Sequence, residues 1–130
     1  RAERIVAYIQ DNKIDEPLPI KYTPTSQRVD APWAVRTFVP NYGGDAIWSY
    51  WGAEYLTLLV NLRNKTGNND YAIRARRFAA MYRQKIKETK GFPETFNAQA
   101  EFLQTPFYKS IRQTGWVVQF EHAEWLLRKK

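Results

Sequence analysis

The chain predicts an all-α fold: four helical segments, the middle two antiparallel across a short turn, with two long aromatic loops between them. Three observations carry that expectation. Apolar residues recur at helical spacing over 46–63, 70–89 and 115–130. Start and stop residues bracket those stretches, namely Asp45, the TGNND turn at 66–70 and Lys90-Gly91. Prolines fall between the periodic stretches and not inside them.

Residues 1–12 (RAERIVAYIQDN) read as the last turns of a helix, with Ile5, Tyr8, Ile9 and Ala2 on the inner face and Asp11-Asn12 ending it. From Glu16 to Asp45 the pattern is irregular and holds Pro17, Pro19, Pro24, Pro32 and Pro40. A stretch that long without regular structure is uncommon in a compact domain. Leu18, Ile20, Trp33, Val35, Phe38 and Val39 argue that it packs against something. Asp45 is placed to cap the next helix, AIWSYWGAEYLTLLVNLR at 46–63. Trp48, Trp51, Tyr55, Leu58, Leu59 and Leu62 occupy one side of it, and Ile47, Tyr50, Leu56 and Val60 much of the rest. A helix apolar on all sides needs neighbours on all sides.

The next helix, 70–89, has a regular apolar stripe of Tyr71, Ala75, Phe78, Tyr82 and Ile86. A second irregular stretch, GFPETFNAQAEFLQTPFY, follows it. The last helix then spans Gly115 to Lys130, with Trp116, Phe120, Ala123 and Leu127 as its seam and Arg128, Lys129 and Lys130 at its C-terminus. Four such helices offer too little surface to enclose helix 46–63. The chain therefore reads as a single helical unit, residues 1–130, within a larger core, completed by the remainder of a parent protein or by a second copy. Arg1 in place of an initiating Met points the same way.

Composition narrows the chemistry. The absence of cysteine excludes disulfides, cysteine-ligated zinc and thiol catalysis, and a single histidine disfavours Ser-His and multi-His metal sites. No metal or cofactor is expected. No apolar run is long enough to span a bilayer and no leader-like pattern opens the chain, so no membrane partner is expected. Twenty of the 130 residues are aromatic, and a core or a binding groove must account for those rings. Residues 63–90 hold nine basic and two acidic side chains, which is the whole +7 excess of the chain. Two readings stand for that segment: a solvated helix face around the apolar stripe, or a basic nucleic-acid-binding module. The tryptophans also read two ways. Trp48 and Trp116 suit the floor of a sugar site as well as inter-helix packing, whereas Trp51 and Trp125 read as core. His122 reads as a structural residue.

Four segments, in order, resemble a known family. They are NYGGDAIWSYWGAEYLTLLVNL (41–62), TGNNDYAIRARRFAAMYRQKI (66–86), GFPETFN (91–97) and TGWVVQFEHAEWLL (114–127). Together they are similar to the C-terminal third of (α/α)6-toroid glycosidases, in particular the amylo-α-1,6-glucosidase and glucoamylase/trehalase-like groups. The resemblance implies helical hairpins forming part of a six-hairpin toroid, a carbohydrate substrate and an inverting hydrolysis. It implies Glu94, in the "PE" of the loop, as general base, with Tyr42, Trp48 and Trp116 lining the sugar site. Inverting enzymes hold two carboxylates roughly 6.5–9.5 Å apart, and the acid partner of Glu94 would come from an earlier part of the toroid. Within the chain, Asp45 and Glu54 are the acids in suggestive positions, Asp45 reading as a cap and Glu54 as the partner of an outer basic residue. The plain alternative for Glu94 is an N-cap or a surface loop acid, and for the chain a non-catalytic structural piece of a toroid.

Overall fold

The computed structural model describes residues 1–24, 32–39 and 42–129. Pro40, Asn41 and Lys130, which entered the sequence reading, lie outside the described residues. In chain order the elements are α1 (Ala2–Asp11), α2 (Trp33–Phe38), β1 (Ile47–Trp48), α3 (Ser49–Thr66), α4 (Asn69–Thr89), β2 (Thr95–Phe96) and α5 (Val117–Arg128). The fold is mostly helical, as expected, with a small two-stranded sheet that the sequence reading did not contain.

α3 is the axis of the molecule and packs against α1, α4 and α5. It joins α4 by a tight turn in which Gly67 adopts the left-handed conformation, with φ of 75°, and closes α3 through a bond to the Arg63 carbonyl. The Asn68 side chain then accepts the Asp70 N–H at 2.9 Å, so the expected cap of the second helix is present. α4 buries Ala75, Phe78 and Tyr82 and leaves Tyr71 and Ile86 at the edge of the core, as its stripe requires. At its far end the left-handed residue is Lys90, not a glycine. Gly91 is needed for a different reason: a Cβ there would collide with the Arg112 carbonyl.

α5 runs parallel to α3. Tyr50 in the first turn of α3 meets Trp116 at the start of α5, their ring centroids 5.6 Å apart, while the C-terminal ends of both helices share a cleft. α4 lies antiparallel to both. Phe120 and Ala123 of α5 are buried against this core, and Phe92 and Tyr82 stack around Phe120. Two buried carboxylates fasten the helices. Asp15 accepts from Tyr55 Oη at 3.1 Å and from Arg74 at 3.4 Å, tying the segment after α1 to α3 and α4. Glu124 accepts from both Arg83 and Arg128, tying α4 to α5.

Several expectations are corrected. The helix expected to begin at Ala46 begins at Ser49, because Ile47 and Trp48 pair with Phe96 and Thr95 as strands. Asp45 therefore caps nothing: the N-cap is Trp48, with no side-chain cap. In α1 the buried residue is Val6, whereas Ile5 and Tyr8 face outward. Trp51 and Trp125, expected in the core, are 51% and 50% exposed. In the irregular stretch Leu18 is fully buried, but Trp33, Val35 and Phe38 form an exposed short helix whose Phe38 meets Phe107. Glu54 is exposed and enters no ion pair among the described residues.

Candidate functional site

Glu94 is held by backbone bonds on both sides. Its carbonyl accepts the Ser49 N–H, the first of α3, at 3.1 Å, and its own N–H donates to the Ile111 carbonyl at 2.8 Å. Pro93 disfavours a helical backbone at Phe92. Thr114 then fixes the Phe92 carbonyl through both its N–H and its hydroxyl. Phe92 and Phe96 turn their rings into the core and leave the Glu94 side chain half-buried at the rim. A strip of chain from Ile20 to Thr23 lies antiparallel to Gly44–Trp48 and completes this layer: Tyr22 N–H bonds to the Ala46 carbonyl and Trp48 N–H to the Ile20 carbonyl, both at 2.9 Å. The layer sits over the N-terminal ends of α3 and α5.

Each carboxylate oxygen of Glu94 receives a phenol hydroxyl. Tyr42 Oη donates to Oε1 at 3.2 Å and Tyr108 Oη donates to Oε2 at 2.8 Å. The two phenol rings meet edge to face at 5.1 Å. Trp48 lies 4.9 Å from Tyr42, also edge to face, and its indole N–H donates to the Tyr42 carbonyl at 3.3 Å. Trp116 follows at 6.3 Å from Trp48, with Tyr22 on the other side at 6.2 Å. The four residues singled out from the sequence, Glu94, Tyr42, Trp48 and Trp116, are thus brought to one end of the helix group. Tyr42 touches the carboxylate, Trp48 touches Tyr42, and Trp116 is one ring further away.

Burial, followed by the neighbouring Tyr108 and the Glu94 carboxylate, raises the Tyr42 hydroxyl well above the ordinary tyrosine range. Tyr108 is raised too, again chiefly by burial. Both phenols therefore stay protonated at neutral pH and act as donors. A carboxylate offers about four lone-pair positions, so two such bonds orient it and leave others open to a water or a hydroxyl.

Of the aromatic residues expected beside Glu94, Tyr42 touches its carboxylate; the other phenol, Tyr108, was not among them. Tyr108 and Tyr22 carried no signal of spacing, because loops far apart in the chain deliver them. Asp45, released from its expected role as a cap, keeps a buried Oδ1 without a hydrogen-bond partner. His122 is exposed beside Trp125. In the basic segment Arg74, Arg83 and Lys85 are engaged in ion pairs. Among the described residues no group of three or more His, Cys, Asp or Glu side chains is arranged to hold a metal ion, and no helix is long and apolar enough to cross a membrane. Comparison with family models, with curated proteins and with solved structures returns no significant match to the chain.

Proposed function

We propose that the chain is part of a carbohydrate-active, inverting glycoside hydrolase-like protein in which Glu94 is the general base and Tyr42, Trp48 and Trp116 line the sugar site. The observation that carries this reading is the Glu94 carboxylate gripped by Tyr42 and Tyr108 beside two tryptophans. Indole faces suit the CH faces of a pyranose, and a carboxylate with fixed torsion suits a water that must attack along one line. In the proposed reaction Glu94 takes a proton from water as its oxygen attacks the anomeric carbon. A second carboxylate, roughly 6.5–9.5 Å away on another segment, protonates the leaving oxygen.

A toroid setting is the finer part of the same proposal. It is supported by the parallel run of α3 and α5 with α4 antiparallel between them in sequence, the arrangement of one hairpin followed by the first helix of the next. It is supported also by exposed Trp51, Ile5 and Val118, apolar surface that further helices of a parent protein, or a second copy, would cover. A basic nucleic-acid module has fewer free cations to draw on than the sequence count suggests, since three of them are paired within the fold.

The test uses the complete protein containing this chain and a panel of α-linked glucosides, following sugar release and the anomer first formed. Glu94→Gln should lower turnover by about 10²–10⁴-fold and leave quenching of tryptophan fluorescence by substrate largely intact. Retained turnover in that variant, or retention of anomeric configuration, overturns the assignment.

A further inference from the structure

α3 is 18 residues long, or about 27 Å, and at its end opposite Glu94 the helices α3, α4 and α5 enclose a cleft of about 280 Å³. Four basic residues line it: Arg63 from α3, Arg76 from α4, and Arg128 and Lys129 from the end of α5. Among the described residues no acidic side chain does. Val60, Ala72, Leu126 and Leu127 supply its apolar lining. Arg128 is shared with the buried Glu124, which Arg83 also approaches, so that cluster keeps a net positive charge. Arg63, Arg76 and Lys129 have no ion-pair partner among the described residues; Arg63 meets the Asn64 amide and Lys129 rests over the Trp125 ring.

Helix dipoles account for some of these cations but not for all. Arg63, Arg128 and Lys129 stand at helix C-termini, where positive charge is favoured. Arg76 stands two turns into α4 from its N-terminal side, where the dipole gives it no such role, and yet it reaches the same cleft. Convergent guanidinium groups present forked N–H donors that match the oxygens of a phosphate or a sulfate. A volume of about 280 Å³ exceeds what a bare ion fills, and the leucines in its lining suit carbon rather than further charge.

We infer that this cleft binds a small molecule bearing a phosphate or sulfate group, with Arg63 and Arg76 gripping the oxyanion and the carbon skeleton on Leu126 and Leu127. The site is separate from the Glu94 end and does not depend on the reading given there. It is tested by calorimetric titration of the protein with inorganic phosphate, glucose 6-phosphate and glucose 6-sulfate. At least one of the two sugar esters should bind below ~1 mM and more tightly than inorganic phosphate, and the pair distinguishes a phosphate from a sulfate source. The Arg63→Gln/Arg76→Gln double variant should bind at least about tenfold more weakly with an unchanged circular dichroism spectrum. Lys87→Gln, three turns further along α4, should bind as the parent does. Absence of ester binding up to ~10 mM overturns the inference. So does equal weakening by Lys87→Gln, or binding confined to a single-stranded oligonucleotide with steep salt dependence, which marks a diffuse basic face instead.

Discussion

The Tyr108 hydroxyl reaches back fourteen residues to donate to Glu94 Oε2 at 2.8 Å, while Tyr42, fifty-two residues before Glu94, donates to the other oxygen. Two independent loops thus fix the torsion of one carboxylate, and neither bond is a product of local helix or strand geometry. Removing either donor frees the carboxylate to rotate without altering its backbone anchors at Ser49 and Ile111.

Tyr108→Phe should therefore lower turnover in the complete protein by about tenfold, the scale of one hydrogen bond to a charged group. Tyr42→Phe should do the same, and the double variant should depart from the product of the two because they act on one side chain. Steady-state kinetics on the four proteins of the cycle measure this. A Tyr108→Phe enzyme with the parent's kcat would leave the bond without a part in catalysis.

At Gly52 the backbone of α3 lies directly against Tyr82 of α4 and Pro19 of the segment after α1. The Tyr82 hydroxyl donates to the Pro19 carbonyl directly beside it, and a Cβ on residue 52 would overlap both. Gly52→Ala should destabilise the fold by about 1–3 kcal/mol in urea unfolding. In a Tyr82→Phe background the further cost should be smaller, since one of the two obstacles has gone. An equal cost in both backgrounds would clear Tyr82 of that role.

Glu124 is buried, while its two arginine partners are largely exposed. Glu124→Gln keeps the shape and removes the charge, and the expected loss is about 1–3 kcal/mol, below that of a fully buried pair because solvent screens the arginines. By contrast, Lys85→Ala, which breaks the exposed pair with Glu88, should leave the urea midpoint unchanged. A midpoint as sensitive to Lys85 as to Glu124 would contradict the burial argument.

Alkaline pH should unfold the protein. Burial raises the hydroxyls of Tyr82 and Tyr55 far above the ordinary value near 10, and Asp15 adds to the effect at Tyr55. Above pH ~10 the unfolded chain loses these protons while the folded one keeps them, so the unfolded state binds fewer protons and stability falls as pH rises. The stability is full below pH ~10 and declines above it at about 1.4 kcal/mol per pH unit for Tyr82. Urea midpoints measured across that range, with Tyr82→Phe flattening the slope, provide the check; an unchanged slope in that variant would remove Tyr82 as the cause.

The apolar stripe of α4, the turn at 66–70 with its Asn68 cap, and the seam of α5 were legible in the sequence because they rest on contacts between residues three or four apart. Glu94 and Tyr42 could be singled out, but neither the bond between them nor the second phenol, Tyr108, could. Tyr108 and Tyr42 belong to loops, where no period ties position to orientation. The start of α3 was misread for a related reason. Ile47 and Trp48 continue a helical pattern, and only the arrival of Thr95-Phe96 on one side and Ile20 on the other gives their backbone a better set of partners.

The exposed faces of Trp51 and Trp125 follow from number rather than pattern. A helix apolar all round is covered only where a neighbour exists, and α1, α4 and α5 cover three sides of α3. By itself, then, the sequence determined the four longer helices to within a few residues, where they turn and which face of α4 and α5 points inward, since each depends on local spacing; the short helix α2 lay in a stretch that carries no such pattern. The tertiary structure alone decided which tyrosines hold Glu94, which tryptophans stay in water and where the basic residues converge, because each depends on segments meeting that are distant along the chain.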